Sequence, residues 1–278
     1  MSPTLQFVHR FGRNRPAVAG VVVLALAAFA AAFGPTLYNV DPFEMLGRPS
    51  QPPSARFPLG TDVSGRDILA GLLYGARVSL FVGIVASLLA TSVGVLVGAL
   101  AGFFGGVVDD ILMRIVDFFL TIPSFVLAVV LVAILNPTIT IITLTIAIVS
   151  WPSVARLVRG EFVSQRSRDY VMASKGLGMS TAEIIVVQIL PNTLAPIVVV
   201  ASLMVATAIL TEAGLSFLGL SDPDVISWGY MIGVGRAVLR SAWWMAAIPG
   251  ITIMITVLAI NLIGEGLNDA LNPRLRQR

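Results

Sequence analysis

Cysteine is absent from this chain of 278 residues. That excludes disulfides, thiolate nucleophiles and cysteine-held metals. Histidine occurs once, as His9 in a polar N-terminal stretch, so histidine-based catalysis and metal binding have little to work with. Lysine also occurs once, and Lys175 is followed by Gly176. A phosphate-cradling loop of the Gly-x-x-x-x-Gly-Lys-Ser/Thr type needs a hydroxyl residue there, so the chain has no nucleotide site of that kind. Charge is scarce: 12% of residues, against about 25% in a typical soluble domain. Apolar residues make up 56%, and the net charge is only +3, with the basic residues dispersed. This composition indicates an integral membrane protein and argues against a nucleic-acid partner.

A bilayer core needs about 20 apolar residues in a helix. Six stretches qualify: Ala17–Tyr38, Val78–Phe104, Ile111–Leu135, Thr138–Leu157, Leu194–Glu212 and Trp244–Leu267. The expected fold is an all-α integral membrane protein with six transmembrane helices. Pro152 interrupts the fourth stretch, but Val154, Leu157, Val158 and Phe162 recur at helical spacing beyond it. Asn136 and Pro137 mark a tight turn between the third and fourth.

Basic residues orient the spans. With the N-terminus inside, the inner segments hold Arg10, Arg13, Arg15, Arg114, Arg156, Arg159, Arg166, Arg168, Lys175, Arg274, Arg276 and Arg278, which is twelve of eighteen. Arg48, Arg56, Arg66, Arg77, Arg236 and Arg240, the other six, fall outside. Both termini are therefore expected in the cytoplasm. Trp151, Trp243 and Trp244 fall at span ends, as an aromatic belt requires. The run Arg10–Arg15, the apolar stretch and Ala28–Ala30 also fit a cleavable signal peptide, but the charge count favours six uncleaved spans. The chain divides into a cytoplasmic tail, 1–16, and one transmembrane domain, 17–278. That domain has an outer loop at 39–77 and a cytoplasmic loop at 154–191.

In the outer segment 34–77, repeated prolines from Pro35 to Pro58 predict mostly irregular structure. Ser64 followed by Asp67 has the form of a helix N-cap, and the residues after it suit a helix at the outer surface. The second outer segment, 213–243, is rich in glycine and aromatics. It fits either a mobile segment near a pathway mouth or an ordinary interfacial loop.

The long polar loop is the most informative part. Asp169–Leu177 is helix-compatible, and Gly178 can take the positive φ that stops a helix. Ser180 and Glu183 form a capping-box pattern before the apolar run Ile184–Leu190, so a second helix starts near Ser180 and re-enters the membrane. Pro191 predicts a kink at re-entry. Ala173 and Ser174 are small, which suits close approach of a partner surface. By itself this pattern leaves open a docking elbow and a solvated connector.

This loop resembles the signature loop of ABC-importer permeases: Glu-Ala-Ala, three residues, Gly, nine residues, Ile, one residue, Leu-Pro. The register falls on Met172, Ala173, Ser174, Gly178, Gln188, Leu190 and Pro191. Met172, Ser174 and Gln188 depart from the pattern. The segments Pro58–Asp67, Tyr74–Leu80, Gly102–Gly106, Met113–Asp117, Glu212–Leu220 and Asn268–Arg276 are similar to the dipeptide, oligopeptide and nickel importer branch, in the style of its second permease. The resemblance implies a type I ABC-importer permease architecture in a bacterial-type plasma (inner) membrane, in contact with membrane lipid. It also implies an ATPase-coupling loop through Met172, Ala173, Ser174, Gly178, Ser180, Glu183, Leu190 and Pro191. The implied partners are a second related permease, two ATP-binding cassette subunits and an extracytoplasmic substrate-binding protein. No cofactor is implied in this chain; ATP and Mg are bound by the partner ATPase subunits. Di- and oligopeptides lead as substrates, with nickel, glutathione or another small solute as alternatives.

Asp117, Glu212 and Glu265 sit near span ends, where water can reach them, and structural roles are favoured over substrate contact. Ser87, Thr91, Ser92, Thr143, Thr145, Ser202 and Thr207 fit either a polar pathway or interhelical packing. Gly83, Gly94 and Gly98 read first as close helix packing. An ion-driven secondary transporter would place ionisable groups at mid-bilayer, and none is evident. A membrane enzyme would need a clustered acid, base or nucleophile set, and a channel would need no elaborate elbow.

The orientation is testable because the chain lacks cysteine. A cysteine introduced at Gln165 should react with a membrane-impermeant thiol reagent only after the cells are opened; labelling of intact cells overturns the assignment.

Overall fold

The structure, a computed structural model, describes residues 11–271. Residues 1–10 of the tail, with His9 and Arg10, lie outside the described residues, as do Arg274, Arg276 and Arg278. The elements are helices: α1 (Arg15–Leu37), α2 (Ile68–Phe104), α3 (Gly106–Thr121), α4 (Ser124–Leu135), α5 (Ile139–Arg166), α6 (Asp169–Gly176), α7 (Thr181–Phe217), α8 (Trp228–Gly235) and α9 (Trp244–Leu271). Five of them (α1, α2, α5, α7 and α9) are long and apolar enough to cross a membrane, and the bent pair α3 and α4 makes six if counted as one span.

Local chemistry sets the ends. Asn14 caps α1 by accepting from the Ala17 N–H at 3.1 Å. Asp67, not Ser64, caps α2, accepting from Leu69 N–H at 2.7 Å and Ala70 N–H at 3.3 Å. Ser64 belongs instead to a turn around Asp62. The outer helix expected after it is the first part of α2, continuous with the span. Asn136 takes φ +66°, making the expected turn before α5. α5 then runs unbroken through Pro152 to Arg166, as its helical periodicity predicts.

The expected span Ile111–Leu135 is not one rod. α3 and α4 meet at 82°. The cause is Pro123, which disfavours helical backbone in the residue before it; Ile122 sits at φ −93°, ψ 128°.

Packing is built on small residues. A Cβ on Gly94 would lie 2.5 Å from Val154 Cβ, one on Gly98 2.5 Å from Ala155 O, and one on Gly102 2.6 Å from Phe162 Cβ. The backbone of α5 therefore lies directly on a stripe of every fourth residue of α2, as membrane helices pack. Gly83 meets Ile209 of α7 in the same manner. The packing role expected of Gly83, Gly94 and Gly98 is thus observed. At the other side Gly20 meets Ala259 O and Gly266 meets Ala17, joining α1 to α9.

The segment before α2 has more order than its prolines predict. Thr61 is fully buried; its hydroxyl donates to Arg48 O and accepts from Gln51 N–H. Tyr38 donates to Asp67 Oδ2 at 2.7 Å, tying the end of α1 to the start of α2. Burial, then that hydrogen bond and the Asp67 charge, push the Tyr38 hydroxyl up to about 12. In 213–243, α8 is docked on the body. Trp228 is buried, with its indole N–H on Leu72 O and its backbone N–H on Ser79 Oγ.

Gly98→Val should destabilise the α2–α5 pair by about 1–3 kcal/mol or more, since the new side chain meets backbone and cannot be accommodated by a rotamer change. Gly160→Ala, where nothing lies within 4 Å, is the matched control. Thermal melting of the purified protein should show a lower Tm for the first and no change for the second.

Candidate functional site

The polar loop folds as helix, glycine turn, helix. α6 carries Asp169 in its first turn and Lys175 in its last, the favourable charge order for the helix dipole. At its end Met179 N–H bonds Ser174 O at 3.2 Å and Gly178 N–H bonds Lys175 O at 3.1 Å, with Gly178 at φ +76°. This is a Schellman stop with glycine in the left-handed position. Ser180 then caps α7, its Oγ accepting from Glu183 N–H at 3.3 Å. Glu183 does not make the return bond among the described residues, so only half of the expected capping box forms.

The expected kink at Pro191 takes the form of a widened turn. Residues Ile184–Ile189 are π-helical, and Leu190 N–H bonds Ile185 O five residues back. Proline cannot donate to the carbonyl four residues before it, and its ring crowds that carbonyl; one wider turn relieves both.

The elbow is anchored by one apolar cluster in which Val171 and Ile184 pack with Val158 and Phe162 of α5 and Ala99 of α2. Lys175 Nζ stands 5.4 Å from the centre of the Phe103 ring. Ser174 is 7% exposed and its hydroxyl donates to Tyr170 O, so it faces inward rather than towards a partner. Its small size serves packing within the elbow, because it lies on the same helical face as Val171. Met172, Ala173 and Gly178 are exposed at the tip. So is Leu177, at 84%, which the sequence reading did not single out. A large apolar residue between Gly176 and Gly178 in a polar loop was the available signal. Ser180 and Glu183 lie at the cap, while Leu190 and Pro191 sit at re-entry, away from the tip.

The ionisable residues near span ends separate. Asp117 pairs with Arg156 at 2.6 Å, a structural contact. Glu265 is exposed on α9. Glu212 is not reached by water within this chain: it is 1% exposed, and its Oε1 accepts from Ser216 and Ser227 at 2.9 and 2.7 Å. The cause is α8, which brings Ser227 and Gly229 over it; a Cβ on Gly229 would lie 2.7 Å from Oε1.

The hydroxyl residues mostly satisfy helices. Ser87 reaches across to Ala201 O at 2.8 Å, while Thr143 bonds Ile139 O and Ser202 bonds Val199 O in their own helices. Thr207 alone of that group lines a cavity of about 470 Å³ at the α3–α4 bend, with Ser124, Ser150, Ser153, Thr211 and Phe119 among its other walls.

A profile described as "Binding-protein-dependent transport system inner membrane component" matches residues 94–277, two thirds of the chain. The chain belongs to that family. A second profile, the N-terminal TM domain of oligopeptide transport permease C, matches residues 2–53. The di/tripeptide transport system permease protein DppC of Pseudomonas aeruginosa is 42% identical, over 99% of this chain and 93% of that one. DppC of Escherichia coli is 42% identical over 100% and 95%. The oligopeptide transport system permease protein OppC of Bacillus subtilis is 37% identical over 96% and 88%. Among solved structures, a chain of the inward-facing MetNI methionine ABC transporter matches with a TM-score of 0.61 at 19% identity, covering 73% of this chain and 96% of its own. That likeness shows the ABC-importer permease fold. As a family member the chain is a multi-pass permease subunit of the DppC/OppC type and is not itself catalytic.

Gly178→Val forces a β-branched residue into the left-handed region and should weaken the elbow by of order 1 kcal/mol or more while leaving insertion intact. Limited proteolysis should cut the variant faster within residues 176–180, and Gly178→Asn, which tolerates that region, should fall between.

Proposed function

We propose that this chain is one permease of an ATP-driven importer of di- and oligopeptides, and that the tip of its elbow is the surface on which an ATP-hydrolysing subunit docks. The observation that carries the docking reading is the apolar tip. Met172 and Leu177 stand 56% and 84% exposed beside Ala173, on a short helix held by a Schellman stop and a buried anchor. A solvated connector has no need for a rigid, apolar projection. The peptide substrate is carried over from relatives named for di-, tri- and oligopeptide transport at about 40% identity over nearly the whole chain.

In this reading the chain pairs with a second, related permease; two ATP-binding cassette subunits bind ATP and Mg; and an extracytoplasmic binding protein delivers substrate. The elbow and both termini face the cytoplasm. An even number of crossings is supported by the contact between Asn14 Nδ2 and Asp269 Oδ2 at 3.2 Å, which brings the two ends of the described chain together.

The test uses the full complex in proteoliposomes with matched expression. Ala173→Arg and Leu177→Asp should keep insertion. Both should reduce co-purification of the ATPase subunits, ATP hydrolysis stimulated by loaded binding protein, and uptake of labelled dipeptide together. Wild-type docking and uptake in both variants overturns the docking role.

A further inference from the structure

Within this chain α3 is a helix with a joint at each end. Gly105, at φ +65°, precedes it, its first residue Gly106 stands at φ +53°, and the extended Ile122 before Pro123 follows it. Of its sixteen residues only Val116 is buried. Apolar packing therefore does little to set its angle. What holds it to α5 is electrostatic. Arg159 grips Asp109 with two bonds, Nε to Oδ1 at 2.5 Å and Nη2 to Oδ2 at 2.6 Å. Arg156 meets Asp117 at 2.6 Å. The Arg159 and Asp109 side chains are 38% and 14% exposed, so their pair is half-shielded, whereas Arg156 and Asp117 are 57% and 63% exposed and the second pair is weaker. Phe119 adds a ring contact to Trp151 of α5 at 5.5 Å.

The same helix α5 carries the elbow at its far end, with only Ser167 and Arg168 between it and α6. The other end of α3 supplies Phe119 and Leu120 to the 470 Å³ cavity, and the bend supplies Ile122 and Pro123. α5 is rigidly seated on the glycine stripe of α2, so a push on the elbow moves that pair as a body. A bidentate, half-shielded arginine–carboxylate clamp passes the motion to α3 because it fixes both distance and angle.

We propose that Asp109 and Arg159 are positioning residues for transport, clamping α3 to α5 so that movement of the elbow swings α3 on its two joints and reshapes the cavity at Pro123. This rests on the elbow's being the ATPase-docking surface, but it concerns a separate step, after docking.

The test is a charge swap in the reconstituted complex, read as labelled dipeptide taken up per ATP hydrolysed, with ATPase co-purification measured in parallel. Asp109→Arg and Arg159→Asp, each leaving like charges face to face, should retain the ATPase subunits but lower uptake per ATP by about tenfold. Combining them restores an opposite pair and should recover most of the loss. Asp109→Asn, which adds no repulsion, covers the case in which a reversal fails to accumulate and should also lower the ratio. A wild-type ratio in the single variants overturns the clamp, and so does a double swap that folds, binds the ATPase and does not recover. Failure of the docking reading appears elsewhere, as normal ATPase binding in Ala173→Arg.

Discussion

The contact on which the rest of this permease depends is the seating of α5 on the glycine stripe of α2. At Gly94, Gly98 and Gly102 α2 contributes no side chain, and the space a Cβ would take is met by carbonyl oxygens of α5 together with the Val154, Val158 and Phe162 side chains. Lipid supplies no hydrophobic drive for helix association, so close van der Waals approach has to do that work. A pair joined this closely along several turns has one angle and one register. That makes it a frame from which less tightly packed parts can be hung: α3 by ion pairs, α6 by an apolar anchor, and α7 through Gly83 and the Ser87 bond to Ala201 O.

Polar groups inside the frame are few and are used as joints. Glu212 is the one buried acidic residue on α7. Its Oε1 accepts from hydroxyls on α7 and at the cap of α8, while Trp228 fixes α8 to α2 through Leu72 O and Ser79. A buried carboxyl group is costly to desolvate; here Oε1 has two donors and the buried Oε2 has no hydrogen-bond partner among the described residues, and the bond from Ser227 ties α8 to α7. The end of the bundle that bears the elbow follows the opposite plan. Its arginines, Arg156, Arg159 and Arg166, project from one helix and reach α3 and the end of α2, joining elements that share little apolar contact.

The elbow combines both kinds of restraint. Hydrogen bonds to Ser174 O and Lys175 O stop α6, and Val171 and Ile184 bury its inner face. What remains outside is Met172, Ala173 and Leu177. The widened turn before Pro191 then lets α7 return without breaking its ladder. Rigidity at the base and apolar exposure at the tip are therefore consequences of the same short segment.

Much of this was legible in the sequence because it depends on neighbours along the chain. The glycine turn at Gly178, the Ser180 cap, the Asn136 turn and the apolar spans are decided within a few residues by backbone sterics and local hydrogen bonds, and the composition alone required a membrane protein. Pro123 carried a local signal for the broken third span, which bends by 82°, but not for the ion pairs that hold α3 to α5. Tertiary structure alone decided that Ser174 faces inward and that Glu212 is sealed by α8. It also decided that Arg159 meets Asp109 across fifty residues of chain. Burial and ion pairing depend on which distant surfaces arrive together, and a helical pattern names the faces of a helix without naming what will cover them.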